Sequence, residues 1–391
     1  MPTAPHSAQF NIRISSTLAG VPAPAWDACA NPPGVPFNPF ISHAFLYACE
    51  ASGSATARTG WQGAHVLVED AAGTLIACAP AYLKSHSQGE YVFDHGFAEA
   101  LHRAGGRYYP KVQVSVPFTP ATGRRLLVRP GAKAVAAQDA LVQGLRALRD
   151  KAGASSVHIT FLPKDEWEAL TQADFLPRTG EQFQFFNEGY ASFEDFLAAL
   201  SSRKRKAIRR ERKEALAPGI TIEHVTGADL TEAHWDAFFA FYMDTGNRKW
   251  GQPYLTRAFF SQISASMAQH VLLIMAKREG RYIAGALNLI GGDALYGRNW
   301  GAVEEHPFLH FEVCYYQAID FAIARGLARV EAGAQGEHKL ARGYRAVPTY
   351  SSHDFANPGL TRAVADYLER ERAHIEADIA AYGALAPFKR G

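Results

Sequence analysis

One short segment of the chain joins groups that could act on a carbonyl carbon. It runs from Glu331 to Lys339 with the sequence EAGAQGEHK, between a predicted strand and a predicted helix. Ligands of α/β proteins bind at such strand ends. Amide formation needs a base that takes a proton from the attacking amine, and a donor near the developing oxyanion. Glu331, Glu337 and His338 are therefore the candidate catalytic residues.

The same segment supplies candidate substrate-binding side chains, which are Gln335, Lys339 and Arg342. Lys339 and Arg342 are cations that could hold an anionic group. The small residues between Glu331 and Glu337 would let a substrate approach the backbone closely. The alternative is an ordinary connection in which a carboxylate caps the next helix.

Three more residues are candidates for binding substrate. Asn299 and Trp300 end a predicted strand, where they would either line a cleft or pack inside the protein. Glu312 lies near the start of a predicted helix. A carboxylate is favoured there by the helix macrodipole alone, so its position does not require a functional role.

A strongly basic stretch, SSRKRKAIRRERK (201–213), lies in the middle of the chain. Its apolar residues share one helical face, so most of its cations lie on the solvated sides. A solubilising surface is one interpretation. The other is contact with phosphate groups of a donor or of tRNA, through the backbone rather than the bases. Arg205 and Arg209 are the residues assigned to that second role.

An aromatic, proline-containing insertion follows the first predicted strands and includes YYPK (108–111) and PFTPATGRR (117–125). Tyr109 and Lys111 are candidate substrate-binding residues of a binding loop. Thr122, Gly123 and Arg125 could offer donors and charge to a phosphate. The alternative is a rigid cover over the sheet.

Two stretches must position these residues, and they repeat one order of predicted elements: three strands, a helix, a strand, a short helix and a closing strand. The third strands are predicted at EYVFDHGF (90–97) and ALYGRNWG (294–301). The closing strands are predicted at EQFQFFN (181–187) and TYSSHDF (349–355), one in each copy. Chance similarity is the alternative, but the shared order of so many elements favours a duplication.

The repeat predicts four parts of the chain. Residues 1–40 form a proline-rich lead-in, and its stretch 21–40 is expected to be extended, because proline fixes φ and removes a backbone donor. Residues 41–190 form the first domain and 191–218 a basic helical linker. Residues 219–391 form the second domain, which ends in a long amphipathic helix.

Composition excludes several classes of protein. The 391 residues are 48% hydrophobic and carry a net charge of +2, so the chain as a whole is not an electrostatic nucleic-acid binder. Four cysteines without CxxC spacing and histidines without HExxH spacing do not indicate a metal site. We expect neither a signal peptide nor a membrane span, and hence a cytoplasmic protein.

The order of elements resembles the GNAT acyltransferase fold, in which a short helix ends in a Gly-aromatic pair, here Gly343-Tyr344. Two such domains around a basic helix resemble the Fem-type aminoacyl and acyl transferases. The motifs YYPKVQVSVPFTPATGRRLL, NRKWGQPYLT and GAQGEHKLARGY look like a bacterial branch called Fem-like or GNAT-like. The resemblance implies an α/β (α+β) fold of two tandem GNAT-like domains, each a mixed, mostly antiparallel sheet flanked by helices.

One connection departs from the GNAT pattern. Enzymes of that fold hold the acetyl-CoA pyrophosphate on a glycine-rich loop, whereas GAVEEHPFLHFE (301–312) is acidic and contains proline. It is poorly suited to an anion. An aminoacyl-tRNA donor therefore gains weight over acyl-CoA, and no tightly bound cofactor is expected.

These observations predict an N-acyltransferase-like enzyme. It would move an acyl or aminoacyl group to an amine on a small molecule, a peptide or a cell-wall precursor. A non-catalytic module that recognises a ligand or a peptidoglycan precursor is the alternative, since duplicated folds can lose their chemistry. RNA binding alone is a third hypothesis, and it depends only on the basic helix.

Overall fold

The structure is a computed structural model of strands and helices that describes residues 10–249, 253–333 and 336–389. The side chains of 247–249 and 337 are not described. The strands are β1 (Asn11–Ser15), β2 (Trp61–Gly63), β3 (His65–Glu69), β4 (Leu75–Ala79), β5 (Ala81–Lys84), β6 (Lys111–Val114), β7 (Leu127–Val128), β8 (Ser156–Leu162), β9 (Leu176–Phe186), β10 (Ile220–Thr226), β11 (Val271–Arg278), β12 (Arg281–Ile290), β13 (Ala294–Ala302), β14 (Arg329–Glu331) and β15 (Arg345–Phe355).

The helices are α1 (Ala23–Ala30), α2 (His43–Ala51), α3 (His95–Arg103), α4 (Ala134–Lys151), α5 (Lys164–Gln172), α6 (Phe193–Ala199), α7 (Ser202–Leu216), α8 (Glu232–Lys249), α9 (Arg257–Met267), α10 (Leu309–Phe311), α11 (Gln317–Ala324) and α12 (Pro358–Ala384). A π-helical turn, Glu312–Tyr316, joins α10 to α11, and a 3-10 helix spans Glu337–Arg342. No helix among the described residues is both long and apolar enough to cross a membrane.

The chain divides into two compact units. The first contains the residues up to Thr179 together with Thr349–Arg372, and the second contains Gly180–Pro348 together with the residues from Ala373 onward. These limits do not coincide with the predicted boundaries at residues 40, 190 and 218. The four predicted parts describe the sequence repeat, and as domain boundaries they remain a prediction.

The first unit has two sheets. One sheet has four antiparallel strands in the order β1-β3-β4-β7. The strands of the second sheet follow the order β15-β8-β6-β5-β2, and among them only β6 and β8 run parallel to each other. Valine and isoleucine side chains of β6 and β8 share a buried cluster with Leu141 and Leu145 of α4. Alternate residues of the same strands are polar and also buried, including Lys111 and His158, and they lie on the opposite face.

The second unit has one sheet, with the order β10-β11-β12-β13-β14-β9. Its strands are antiparallel except β13 and β14, which run parallel. Its core includes residues of β11, β12, α11 and the π-helical turn. Gly301 of β13 allows close packing of α8, because a Cβ there would lie 2.2 Å from the carbonyl oxygen of Phe241.

Both units repeat one pattern, in which an antiparallel run is followed by a parallel pair and then an antiparallel closing strand. In the first unit this pattern is β5-β6-β8-β15, and in the second it is β12-β13-β14-β9. The predicted fold class, two tandem GNAT-like domains with mixed sheets, is confirmed. The closing strands, however, are exchanged, since β9 pairs with β14 and β15 pairs with β8.

Two local predictions were wrong. EYVFDHGF is not a strand: residues 90–94 form a loop and His95 begins α3, while β6 is the third strand of that copy. The reason is that the Glu90 and Asp94 carboxylates bind the buried Lys111 ammonium. The proline-rich lead-in is not wholly extended either, since α1 begins directly after Pro22. Proline is well tolerated in the first turn of a helix.

Candidate functional site

The parallel strands β13 and β14 separate soon after they meet, and the site lies where they diverge. They pair over three residues only, ending at Tyr296 and Glu331, whereas β13 continues to Ala302 beside β12. Gly297 begins the divergent part, and a Cβ there would lie 3.5 Å from the carbonyl oxygen of Glu331. The chain that leaves β14 therefore passes close to the backbone of β13.

Lys339 is buried beside this strand end. Its Nζ donates hydrogen bonds to the carbonyl oxygens of Ala332 at 2.8 Å and of Gly333 at 3.1 Å. The residue is only 2% exposed, and burial lowers the pKa of its ammonium group to about 8. At neutral pH the Lys339 ammonium group therefore places a positive charge beside the strand-end loop, where it donates to these two carbonyl oxygens.

His338 is the neighbouring residue, and its side chain is accessible. Its Nε2 lies 2.9 Å from the Tyr315 hydroxyl group, which fixes the orientation of the ring. Partial burial and the charges of Lys339 and Arg342 lower the pKa of the imidazole. His338 is therefore neutral at pH 7, which is the state a general base requires.

Glu331, the first candidate base, is already engaged. It is 4% exposed, and its Oε1 accepts a hydrogen bond of 3.0 Å from Nε of Arg329. Arg329 also donates to Asp293. This carboxylate is therefore better suited to fixing the end of β14 than to taking a proton from a substrate.

Glu312 and Arg342 belong to an ion-pair network behind the loop. Glu312 is fully buried and accepts hydrogen bonds from Arg212, the shortest 2.9 Å long. Arg342 donates to the carbonyl oxygen of His338 at 2.8 Å and to Glu211 at 3.0 Å. Its guanidinium lies 3.4 Å above the centre of the Phe311 ring. These contacts place the π-helical turn and the 3-10 helix against α7.

A pocket of about 530 Å³ opens at the end of β13. Its lining residues are Thr245, Trp300, Ala302, Glu304, Glu305, His306, Leu309 and His310. A series of rings connects it with the strand-end loop: the centre of the His310 ring lies 5.2 Å from that of Trp300 and 6.3 Å from that of His338. Trp300 is among the lining residues, and its role in binding substrate stays a prediction.

Known proteins resemble the chain at the level of family and fold. The FemAB_like family, described as peptidoglycan biosynthesis/recognition, matches residues 17–390. The chain belongs to the FemAB_like family. No match was found among curated proteins.

Solved structures extend this comparison. FemX aligns with a TM-score of 0.52 and 13% identity, over 82% of this chain and 93% of that one. L-PGS from Bacillus licheniformis aligns with a TM-score of 0.49 and 11% identity, over 86% and 98%. A tandem GNAT protein from the clavulanic acid biosynthesis pathway has a TM-score of 0.44 and 10% identity, over 90% and 99%. Because the sequence identity to FemX is only 13%, this match shows a common fold and nothing more.

In this FemAB_like chain, two predicted substrate-binding residues lie in the first unit. The Lys111 ammonium donates to Ser87 Oγ at 2.9 Å and to Glu90 Oε2 at 2.6 Å, and it also binds Asp94. The Tyr109 hydroxyl group lies 2.7 Å from the same Ser87 oxygen. Lys111 is fully buried, so these contacts describe an internal polar cluster.

Thr122, Gly123 and Arg125 are also in the first unit, and their polar groups are used inside it. The N–H of Gly123 donates to Phe161, and the carbonyl oxygen of Thr122 accepts from Asn38. Arg125 is fully buried, and its guanidinium donates to the carbonyl oxygen of Gly123 at 2.8 Å. We therefore leave these three residues out of the proposed donor site.

The basic stretch is helical as predicted, but 191–218 is not one continuous helix, because α6 ends at Ala199 and α7 begins at Ser202. The cations of α7 differ in their partners. Arg209 forms an ion pair with Glu194, and Arg212 with Glu312. The four consecutive cations 203–206, which include Arg205, form no ion pair with the described part of the chain. They also occupy the first turns of the helix, where the macrodipole disfavours positive charge.

The structure gives little information on the roles of three predicted residues. Gln335 lies outside the described residues, as does the side chain of Glu337. The Oδ1 atom of Asn299 is buried and accepts no hydrogen bond within the described structure. Their roles remain predictions.

Sequence reasoning missed Tyr315 and the α7 partners Arg212 and Glu211. Tyr315 was missed because it lies in the π-helical turn, where the extra residue in the turn changes which side chains share a face. The ion pair between Arg212 and Glu312 joins residues 100 positions apart, and a basic run gives no sign of such pairing.

Proposed function

We propose that the protein transfers an aminoacyl group from tRNA to an amine, with the reaction centred on His338 and Lys339. The observation that carries the proposal is the adjacency of a neutral, accessible imidazole and a buried ammonium group at one strand end. The coarser statement, a Fem-type family with a GNAT-like fold, rests on the family match.

The proposed step is an aminolysis of the aminoacyl ester. The amine nitrogen attacks the ester carbonyl carbon, His338 takes the amine proton, and the oxyanion forms beside the Lys339 ammonium. The C–O bond of the ester then breaks, and the tRNA hydroxyl group leaves with a proton returned by His338. Donors placed where charge develops contribute about 3–4 kcal/mol to such reactions.

Charge distribution supports a tRNA donor over acyl-CoA. The connection that follows β13 carries Glu304 and Glu305, which would repel a pyrophosphate. The cations 203–206 of α7, which form no ion pair with the described residues, are instead exposed or half-buried and could contact phosphodiester groups. We therefore assign backbone contact with tRNA to the N-terminal half of α7, with Arg205 in it.

The acceptor we propose is an amine of a peptidoglycan precursor, in keeping with the description of the family. Tyr315 would hold His338 in place, and Trp300 would border the acceptor pocket. A cytoplasmic location remains a prediction from the sequence.

A donor panel tests this proposal. Thermal unfolding of the full chain is followed with charged tRNA, uncharged tRNA, acetyl-CoA and a longer acyl-CoA. A ligand present at about 100 times its Kd stabilises the folded state by about 3 kcal/mol. We expect stabilisation by tRNA and none by either CoA ester. Stabilisation by acyl-CoA alone would contradict the donor assignment, and no response to any donor would favour a recognition module.

A further inference from the structure

The pocket at the end of β13 has lining chemistry that selects a particular ligand. We infer that it binds a protonated primary amine, at a group of the substrate that does not itself react. This inference rests on the proposed function, because it names a recognition point beside the same reaction centre.

The lining carries negative charge. Glu304 and Glu305 contribute carboxylates, whereas no lysine or arginine is among the lining residues that the structure describes. Glu304 is fixed from one side, since its Oε2 accepts hydrogen bonds from Arg278 at 3.2 Å and from His306 at 2.8 Å. A ligand that brings an anionic group into this pocket would be repelled, and one that brings a cation would be attracted.

Aromatic rings add a second attraction for a cation. Trp300 lines the pocket and makes a T-shaped contact with the His310 ring, and the neighbouring Leu309 and Ala302 are apolar. Ammonium groups are attracted to the face of an indole ring, and tryptophan is the best of the aromatic side chains for this contact. An aliphatic amine fits both features, with its ammonium group near the carboxylates and its carbons on the apolar wall.

The bound ammonium cannot be the nucleophile, because it has no lone pair. The reacting amine must lose its proton near His338, whose ring centre is 6.3 Å from that of His310 in the pocket wall. The substrate therefore carries a second nitrogen. Either the α-ammonium of the transferred aminoacyl group or the far amine of a diamino acceptor has this chemistry.

Isothermal titration of the full chain at constant ionic strength tests the inference. The ligands are L-alaninamide for the aminoacyl source, cadaverine for the diamine source and N-acetyl-L-alaninamide as the uncharged analogue. We expect at least one ammonium ligand to bind about tenfold or more tightly than the acetylated analogue. The tighter of the two identifies the source. Equal affinity for the acetylated compound, or no binding of either amine, would overturn the inference.

Matched variants locate the binding. Glu304→Gln and Glu305→Gln should each weaken ammonium binding about tenfold. Glu279→Gln is the control, since this carboxylate is exposed, lies 3.5 Å from the same Arg278 and does not line the pocket. It removes the same charge and should change affinity less than twofold. A loss as large as that of Glu304→Gln would assign the effect to general charge and reject the pocket.

A third variant separates this inference from the proposed function. His338→Gln should slow transfer by at least about 100-fold and leave ammonium binding unchanged. Retained transfer with retained binding would refute the role of His338 while the pocket assignment stands. Lost transfer in the variant, combined with no ammonium binding by the unmodified protein, would refute the pocket alone.

Discussion

Lys339→Met should change how the stability of the protein depends on pH. In the folded state burial lowers the pKa of Lys339 to about 8, against 10.5 for an ordinary lysine. The difference corresponds to about 3 kcal/mol, at about 1.4 kcal/mol per pKa unit. This is the free energy that the folded state loses by keeping the ammonium group buried.

The sign follows from proton binding. Below pH 8 both states hold the proton, so the folded protein bears the full cost. Between pH 8 and 10.5 the folded state releases the proton while the unfolded chain keeps it, so stability rises with pH. Methionine has no proton to release. Across this interval, the free energy of unfolding of the unmodified protein should therefore rise by about 3 kcal/mol relative to that of the variant.

Urea unfolding at pH 7 to 10.5, followed by tryptophan fluorescence, measures the difference. Groups that titrate in both proteins cancel in the comparison. Lys213→Met, on the exposed side of α7, is the control, and its curve should stay parallel to that of the unmodified protein. A constant gap between Lys339→Met and the unmodified protein would refute the buried ammonium on which the mechanism depends.

Three further predictions concern catalysis, stability and tRNA. His338→Gln should slow transfer about 10²–10⁴-fold. The unmodified enzyme should lose activity at acidic pH, where His338 gains a proton despite its lowered pKa, and again above about pH 8, where Lys339 loses its proton. Burial raises the pKa of Glu166 to about 7, so the unmodified protein should lose stability relative to Glu166→Gln as pH rises from about 4.5 to 7 in urea unfolding. Arg205→Gln should lower the slope of log affinity for tRNA against log salt, measured by filter binding, by about 1. Lys277→Gln is the control and should not change the slope, because the Lys277 ammonium lies 3.0 Å from Glu223. Equal slopes for the two variants would contradict the role of α7.

The fold could be predicted because its evidence is local. Helical periodicity and terminal glycines mark α4 and the helix before β14, and apolar runs on either side of a charged glycine turn mark the central strands. The exchange of β9 and β15 was not predictable in the same way. A repeated order of elements gives the sequence of strands, but the partner of a closing strand depends on contacts between residues far apart in the chain.

In the loop 90–94, ion pairs with a buried lysine override the local preference for a strand. EYVFD contains the aromatic and β-branched residues typical of a strand, yet Glu90 and Asp94 bind Lys111, which itself lies in β6 with its side chain fully buried. Burying an unpaired ammonium group would cost more free energy than the strand could supply. Neither partner signals this pairing in the sequence.

The candidate site was predicted in part. The segment after β14 was identified from its position and its residue types, and His338 and Lys339 lie together there. The sequence could not separate Glu331, which binds Arg329, from His338, which faces Tyr315. Those assignments depend on an arginine two residues away and on a tyrosine in a π-helical turn, whose orientation no simple period describes.

Single-turnover transfer of a labelled aminoacyl group tests the central claim most directly. The unmodified protein, His338→Gln and Lys339→Met are mixed with charged tRNA and a peptidoglycan-precursor amine, and the labelled amide product is quantified over time. The account predicts transfer by the unmodified protein and a loss of at least about 100-fold in each variant. Transfer at an unchanged rate in both variants would show that the chemistry takes place elsewhere.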